Sequence, residues 1–594
     1  MKQCPTCKTT YTDESLNFCL EDGAWLADGP QPDEPATAVL SEPGAVVTGF
    51  PASESQTRPQ IHTTDRTAIF PGIAEAEPQQ NLGDLSERES LSANRGAEPQ
   101  WKRNKLLVIF GVAVLLLVAG FFGYRYFAPP NSKQIESIAV MPFVNAAGDP
   151  QAEYLSDGMT DTLISSLSEL PNLKVKARTS VFRYKGKDID PKTIGNELGV
   201  QAIVSGRVAQ RDGRTSVSLE VVDTQSEDVI FSIKYDKPQS DLVTLQSDIA
   251  RDVSSKLKLK LSGAETAKVT KTFTADPEAY QLYLKGLFLW HKRGPENLLQ
   301  AAAFFNKAIE KDPGYALAYS GLALTYALYP LWYIESPEAS FPKSKAAATR
   351  ALELDESLAG AHSALGFYYG YWERNYVKAE KEYRRSIELK PNYAPARQHL
   401  AYNVLVNLKR FDEAISECTH AQELDPLSPI ITTNLGNILF SARRYDEAIT
   451  AFERALQIDP NFFYAHTSLG DALAAKGQYP DAISSLRKAV ELDSGDPLTR
   501  SILAYALARS GHRDEALKIA EELKRQAAHD YVPGFAIALP YVALGNRDEA
   551  FVWLEKEVAA HGTDGLYIGV DPKFDELRSD PRFKALLKQM NLPE

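Results

Sequence analysis

Three cysteines near the amino terminus, Cys4, Cys7 and Cys19, are the residues whose types and spacing are best suited to chemistry. Cys4-Pro-Thr-Cys7 places two thiols on one tight turn, where a pair of thiolates can grip one side of a tetrahedral zinc ion. Cys19 adds a third donor, and in the following Leu20-Glu21-Asp22-Gly23 the carboxylate of Asp22 is the best-placed fourth. Cys4, Cys7, Cys19 and Asp22 are thus candidate ligands of one structural zinc. A reduced, metal-free turn is the competing reading, and a redox pair is disfavoured because no βαβ pattern surrounds the CxxC. Four cysteines in 594 residues do not make a disulfide framework, and Cys418 falls where a helix pair wants a small buried filler.

Elsewhere the chain carries no HExxH, no GxSxG elbow, no kinase catalytic loop and no Gly-rich dinucleotide loop. Gly186-Lys187 lacks the earlier glycine and the following Ser or Thr of a phosphate loop. The chain is therefore read as non-enzymatic. A formal charge of -13 argues against nucleic-acid binding, which draws on clustered Lys and Arg. The expected partners are proteins or peptides.

The zinc ligands need a short hairpin through Tyr11 and Phe18 to bring them together, within residues 1–27. That segment resembles the small zinc ribbons that open many bacterial membrane proteins, with Asp22 where a fourth cysteine is usual, and a ribbon of this size owes its fold to the metal. Residues 28–100 are rich in Pro, Ser, Thr, Gly and Glu and read as a disordered linker. Thr37-Ala-Val-Leu40 and Thr67-Ala-Ile-Phe70 recur within it, so Thr37 and Thr67 are candidate phosphorylation sites, with chance similarity the alternative.

Residues 106–124, LLVIFGVAVLLLVAGFFGY, hold no charge and reach about the 30 Å of a bilayer's hydrocarbon core. Lys102, Arg103 and Lys105 precede the run while Arg125 stands nearly alone after it, so the N-terminus is expected in the cytoplasm. This single span implies a bacterial inner (cytoplasmic) membrane protein whose large C-terminal region is extracytoplasmic. It carries no GxxxG dimer motif.

From 135 to 262 strand and helix patterns alternate. SIAVMPFVN, LKVKART, QAIVSGRVAQ, TSVSLEVVDT and DVIFSIKYD read as strands; EYLSDGMTDTLISSLSEL, DPKTIGNELG and DLVTLQSDIARDVSSKLKLKL read as helices. A small mixed sheet flanked by helices is expected. Ile138-Ala-Val-Met-Pro-Phe143, Glu153-Tyr-Leu-Ser-Asp-Gly158, Ala177-Arg-Thr-Ser180 and Glu197-Leu-Gly-Val200 resemble the TolB-like amino-terminal domain. In bacteria that domain accompanies a membrane span and a repeat array downstream of a kinase, cyclase or winged-helix effector, none of which is recognisable here.

Alanines 379, 414, 448, 482, 516 and 550 are separated by 35, 34, 34, 34 and 34 residues, the period of a tetratricopeptide (TPR) helix pair. Gly436 and Gly470 lie twelve positions before two of them, where a small residue lets two helices approach closely. About eight units are expected across 277–560, with an insertion within LYPLWYIESPEASFP and a C-terminal capping helix in 571–592. His362 and His466 sit where such units often carry an aromatic. By the family's register Gln398, Tyr402, Thr433, Asn437, Thr467 and Asp471 line the inner surface that binds a protein or peptide. Only Asn437 belongs to the set with which chaperone-binding members clamp a terminal carboxylate.

The chain is therefore read as multidomain: a small zinc ribbon, one transmembrane helix, an α/β TolB-like domain and an all-α TPR solenoid. The function this implies is a membrane-anchored scaffold for envelope proteins or peptides. The alternative is a signal-transduction component, relative of kinase- or cyclase-linked proteins, regulated by phosphorylation of the linker.

Overall fold

The computed structural model describes residues 135–594, apart from 171, 258–260 and 494, and three two-residue strands near the amino terminus. The side chains of Cys4, Cys7, Cys19 and Asp22, together with Thr37, Thr67 and the apolar run 106–124, lie outside the described residues. Strands β1 (Lys2–Gln3), β2 (Thr10–Tyr11) and β3 (Ala27–Asp28) form an antiparallel sheet with β1 in the middle. Chain order puts Cys4 and Cys7 between β1 and β2, and Cys19 and Asp22 between β2 and β3. Among the described residues no helix is long and apolar enough to cross a membrane.

Strands β4 (Ser137–Val140), β5 (Val144–Asn145), β6 (Lys174–Val175), β7 (Ala202–Arg211), β8 (Arg214–Asp223) and β9 (Val229–Pro238) build a mixed sheet. Its order is β6-β4-β7-β8-β9, with β5 also on β7; β4 runs parallel to β6 and β7, and the last three strands are an antiparallel meander. Asp212 and Gly213, both at positive φ, close the β7–β8 hairpin, as Arg-Asp-Gly-Arg implies. Asp190 caps the helix Pro191–Leu198 by accepting the Thr193 amide, Pro191 opens it and Gly199 ends it in the left-handed region. One expectation fails: strand β6 stops at Val175, and Arg178–Phe182 is a short helix. Tertiary contacts override the strand pattern there, because Arg178 pairs with Asp161 and the Ser180 hydroxyl donates to Asp425 of the repeat array.

Eight helix pairs follow between Pro277 and Ala559. The six periodic alanines are all fully buried. Each best-formed pair closes over a glycine. A Cβ on Gly286, Gly366, Gly436 or Gly470 would lie 2.7, 2.6, 2.3 or 2.5 Å from Phe305, Tyr383, Phe452 or Leu486, so the large residue occupies the space that glycine vacates. The two 35-residue intervals, Ser344 to Ala379 and Ala379 to Ala414, have a local cause. Each contains one π-helical stretch, Tyr368–Trp372 or Leu400–Leu405, which absorbs the extra residue inside a helix.

The α/β domain and the segment joining it to the array rest on successive inter-repeat turns. The Thr274 hydroxyl donates to Asp312 (2.5 Å), Lys271 pairs with Asp355 (2.7 Å), Lys390 donates to Ser165 (2.8 Å), and Ser180 to Asp425 (2.5 Å). Helix Glu153–Leu167 packs along Pro277–Lys292, where Gly158 leaves room for Leu284.

Substituting Gly436→Ala should force Phe452 out of place. Overpacking of about 1–3 kcal/mol outweighs the gain of at most ~1 kcal/mol in helix propensity, so thermal unfolding of the chain should begin at lower temperature.

Candidate functional site

The turn between the two helices of every repeat contains a residue at positive φ. In chain order these are Arg293, Tyr333, Arg374, Lys409, Arg443, Gly477, Gly511 and Gly545. Glycine takes this conformation without strain, whereas a side chain there costs roughly 1–2 kcal/mol. Five of the eight turns accept that cost.

Four of those five side chains hold the C-terminal segment or its approach. The Tyr333 hydroxyl donates to Asp564 (3.1 Å), and Arg374 donates to the Val558 carbonyl (2.9 Å). Lys409 donates to the Glu594 carbonyl (2.6 Å); Arg443 donates to the Val570 carbonyl (2.6 Å) and pairs with Asp575 (2.8 Å). Residues 564–577 thereby lie across the inner surface of the array. The helix Pro581–Gln589 packs on the last repeat helix, Arg547–Ala559, as a cap would, but the segment leading to it fills the groove.

Between the α/β domain, the inner surface and this segment lies a chamber of about 1170 Å³. Of the six inner-surface residues the register selects, five line it and one does not. Tyr402 stacks on Tyr567 with ring centroids 4.6 Å apart, and Asn437 donates to the Tyr464 hydroxyl (2.9 Å). Thr467 shares a hydrogen bond with Thr499 (2.7 Å), Asp471 pairs with Lys573, and Gln398 faces the chamber. Thr433 is fully buried and does not reach it. The π-helical stretches turn Tyr371, Tyr402 and Asn403 toward the chamber, and the insertion contributes Leu331, Trp332 and Tyr333 to its wall.

Charge is distributed unevenly around the chamber. Near the C-terminal segment Lys573 lies between Asp471 and Asp571; burial works against its charge, but the two carboxylates outweigh it and keep the ammonium. Burial, with Glu557 and Asp496 nearby, pushes the Asp564 carboxyl well above the usual range. Next to the α/β domain guanidinium, imidazole and carboxyl groups face one another. Arg178 pairs with Asp161 (2.6 Å), whose carboxyl burial pushes up to about 7, and His291 approaches the same carboxylate at 3.3 Å. Burial lowers His399 to about 3 and holds His291 well below its ordinary value, so both are neutral.

Sequence reasoning missed this end, because Asp161, Arg178, His291 and Arg293 are scattered over 133 positions and only the docking of two domains brings them together. Cys418 is buried, its thiol pushed up to about 12 by desolvation and aimed at the Ile431 carbonyl, as a filler should be. His362 is held by polar contacts instead of aromatic packing, with Nδ1 2.6 Å from Glu382. Among the described residues no cluster of His, Cys, Asp and Glu is placed to hold a metal.

Family models of the tetratricopeptide repeat match residues 399–462, 433–497 and 473–532. The helical array is built of tetratricopeptide repeats. A model described as the second domain of HilA/YgeH-like transcriptional regulators matches residues 133–252, the α/β domain. A protein named putative adenylate cyclase 3 of Rhizobium meliloti (strain 1021) is 30% identical over 255 residues, 42% of this chain and 43% of that protein, so less than half of the relative's length is spanned. Among solved structures, Pseudomonas aeruginosa pilF is 22% identical and covers 36% of this chain and 95% of its own, with a TM-score of 0.28. YrrB, titled a TPR protein with an unusual peptide-binding site, is 25% identical over 33% of this chain and 95% of its own, at a TM-score of 0.24.

The tetratricopeptide groove of this chain is therefore partly occupied from within. Substituting Asp471→Ala leaves Lys573 buried against Asp571 alone, a loss on the order of 3 kcal/mol. Amide exchange measured by mass spectrometry should accelerate in residues 564–577 and stay unchanged in the first two repeats.

Proposed function

We propose that this chain is a non-enzymatic interaction scaffold, held in a bacterial inner membrane by residues 106–124, whose extracytoplasmic region binds envelope proteins or peptides. The observation that carries the reading is the array of eight tetratricopeptide pairs around a chamber of mixed aromatic, apolar and polar lining. Repeats of this kind present an extended inner surface to a ligand, and no catalytic signature accompanies them here. Because residues 564–577 lie in the groove, a ligand enters the chamber that remains or displaces that segment. The α/β domain, which we read as TolB-like, forms the other wall.

On the cytoplasmic side, Cys4, Cys7, Cys19 and Asp22 would hold zinc. Their order along the chain relative to β1, β2 and β3 suits a ribbon whose ligands come from the connections between strands. Purified residues 1–30 should carry equimolar zinc by atomic absorption and lose it on Cys4→Ser; a metal-free peptide removes the site.

A signalling role is the second reading, favoured by the 30% identity to a protein named as an adenylate cyclase and served by phosphorylation of Thr37 or Thr67 in the linker. One experiment separates the two. The full chain, mildly crosslinked in membranes and purified in detergent, should retain a discrete envelope protein that is lost when 277–560 is deleted. An empty capture beside a linker phosphorylated at Thr37 or Thr67 would instead establish the signalling reading.

A further inference from the structure

Of the five side chains that hold a strained left-handed turn, Tyr333, Arg374, Lys409 and Arg443 each make a hydrogen bond that accounts for their position. Arg293 is the exception. Its guanidinium lies 3.6 Å over the Trp290 ring and lines the chamber, yet no carboxylate among the described residues pairs with it and its buried Nη1 has no partner. The carboxyl of Asp161 on this wall lies 2.6 Å from Arg178 and 3.3 Å from His291 and forms no ion pair with Arg293. Other buried atoms on this wall lack a hydrogen-bond partner too: the indole Nε1 of Trp290, Nδ1 of His399, Nε of Arg178 and the two carboxyl oxygens of Asp161.

A buried cation without a counter-charge, beside an unsatisfied indole donor, is costly unless something completes it. A guanidinium presents parallel N–H groups that match the two oxygens of a carboxylate or two of a phosphate, and the indole N–H adds a third donor. The surrounding wall is of another kind. Tyr283, Leu287, Phe305 and Leu324 offer apolar and aromatic surface that a simple inorganic ion would leave empty.

We propose that the basic end of the chamber is a binding site for a small organic acid, an oxyanion head on an apolar or aromatic body, with Arg293 and Trp290 holding the head and His399 at its edge. The site lies in the chamber on which the scaffold reading rests and gives that chamber a ligand class of its own; occupancy would bear on the α/β domain through Arg178 and His291 and on the array through His399.

The test uses the full chain in detergent. Calorimetric titration with phenylacetate, octanoate and phenyl phosphate is compared with phenylacetamide and inorganic phosphate. At least one organic acid should bind, and the amide and inorganic phosphate should bind at least tenfold more weakly. A preference for phenylacetate or for phenyl phosphate decides between carboxylate and phosphate heads.

Arg293→Gly removes the cation and relieves the strained turn, as glycine does in the last three repeats, so it should fold with an unchanged or higher unfolding temperature and bind the acid at least tenfold more weakly. Arg293→Lys should recover part of the affinity. If no acid binds the parent chain, or if Arg293→Gly binds as well as the parent, the inference falls. Retention of an envelope protein in the crosslinking experiment is read separately, so the scaffold reading can stand when the acid site does not.

Discussion

A reversal of the chain at positive φ joins the helices of each repeat, and much of the molecule is arranged by what stands at that one position. Glycine there leaves a bare turn. A long side chain there can reach across the groove, and the strain of the backbone is offset where that side chain makes a specific contact. In the last three repeats the position is glycine, and in the first five it is a side chain.

What is gripped is mostly the protein itself. An open inner surface would expose Asp471, Tyr402, Asn403 and their neighbours to water, but the C-terminal segment covers them with groups of matching chemistry: Lys573 between two carboxylates, Tyr567 stacked on Tyr402 and bonded to Asn403 (3.3 Å). Several polar groups of the groove thus take their partners from chain beyond the array, which lowers the cost of burying them. The α/β domain closes the opposite side through turns that already needed a capping carboxylate. Asp312 and Asp355 each accept an amide of their own turn as well as a donor from the segment leading out of that domain. This second closure uses residues that the turns require anyway, which explains why it is inconspicuous in the sequence.

The same closure gives the chamber its electrical character. Acids and a lysine balance one another where the C-terminal segment enters, while the end beside the α/β domain keeps one guanidinium, Arg293, without a counter-charge. A chamber walled by tyrosine, leucine and phenylalanine and polarised in this way distinguishes ligands by the charge of one end, which an open trough of neutral polar residues does not.

Periodicity was legible because it records a local requirement. Each alanine and each glycine that the 34-residue spacing picks out sits where two helices touch, and a substitution there is felt within one repeat. The strands and helices of the α/β domain were readable for the same reason, as alternation, caps and a two-residue turn act over a few residues; only the segment after Val175, held by contacts with Asp161 and Asp425, departed from its local pattern. The inner-surface residues were found by register, and Thr433 shows its limit, since one helical position is enough to turn a side chain from the groove into the core. What no spacing foretold is what fills the groove and what lies at its basic end. Those depend on residues more than a hundred positions apart, Tyr333 with Asp564 or Asp161 with His291, whose encounter is set by the curvature of the whole array and the docking of a second domain. Sequence by itself determined the repeat and its interior, because those are contacts between neighbours in the chain; the tertiary structure alone decided the chamber, because a superhelix brings its ends and its partners together only after every repeat has added its small rotation.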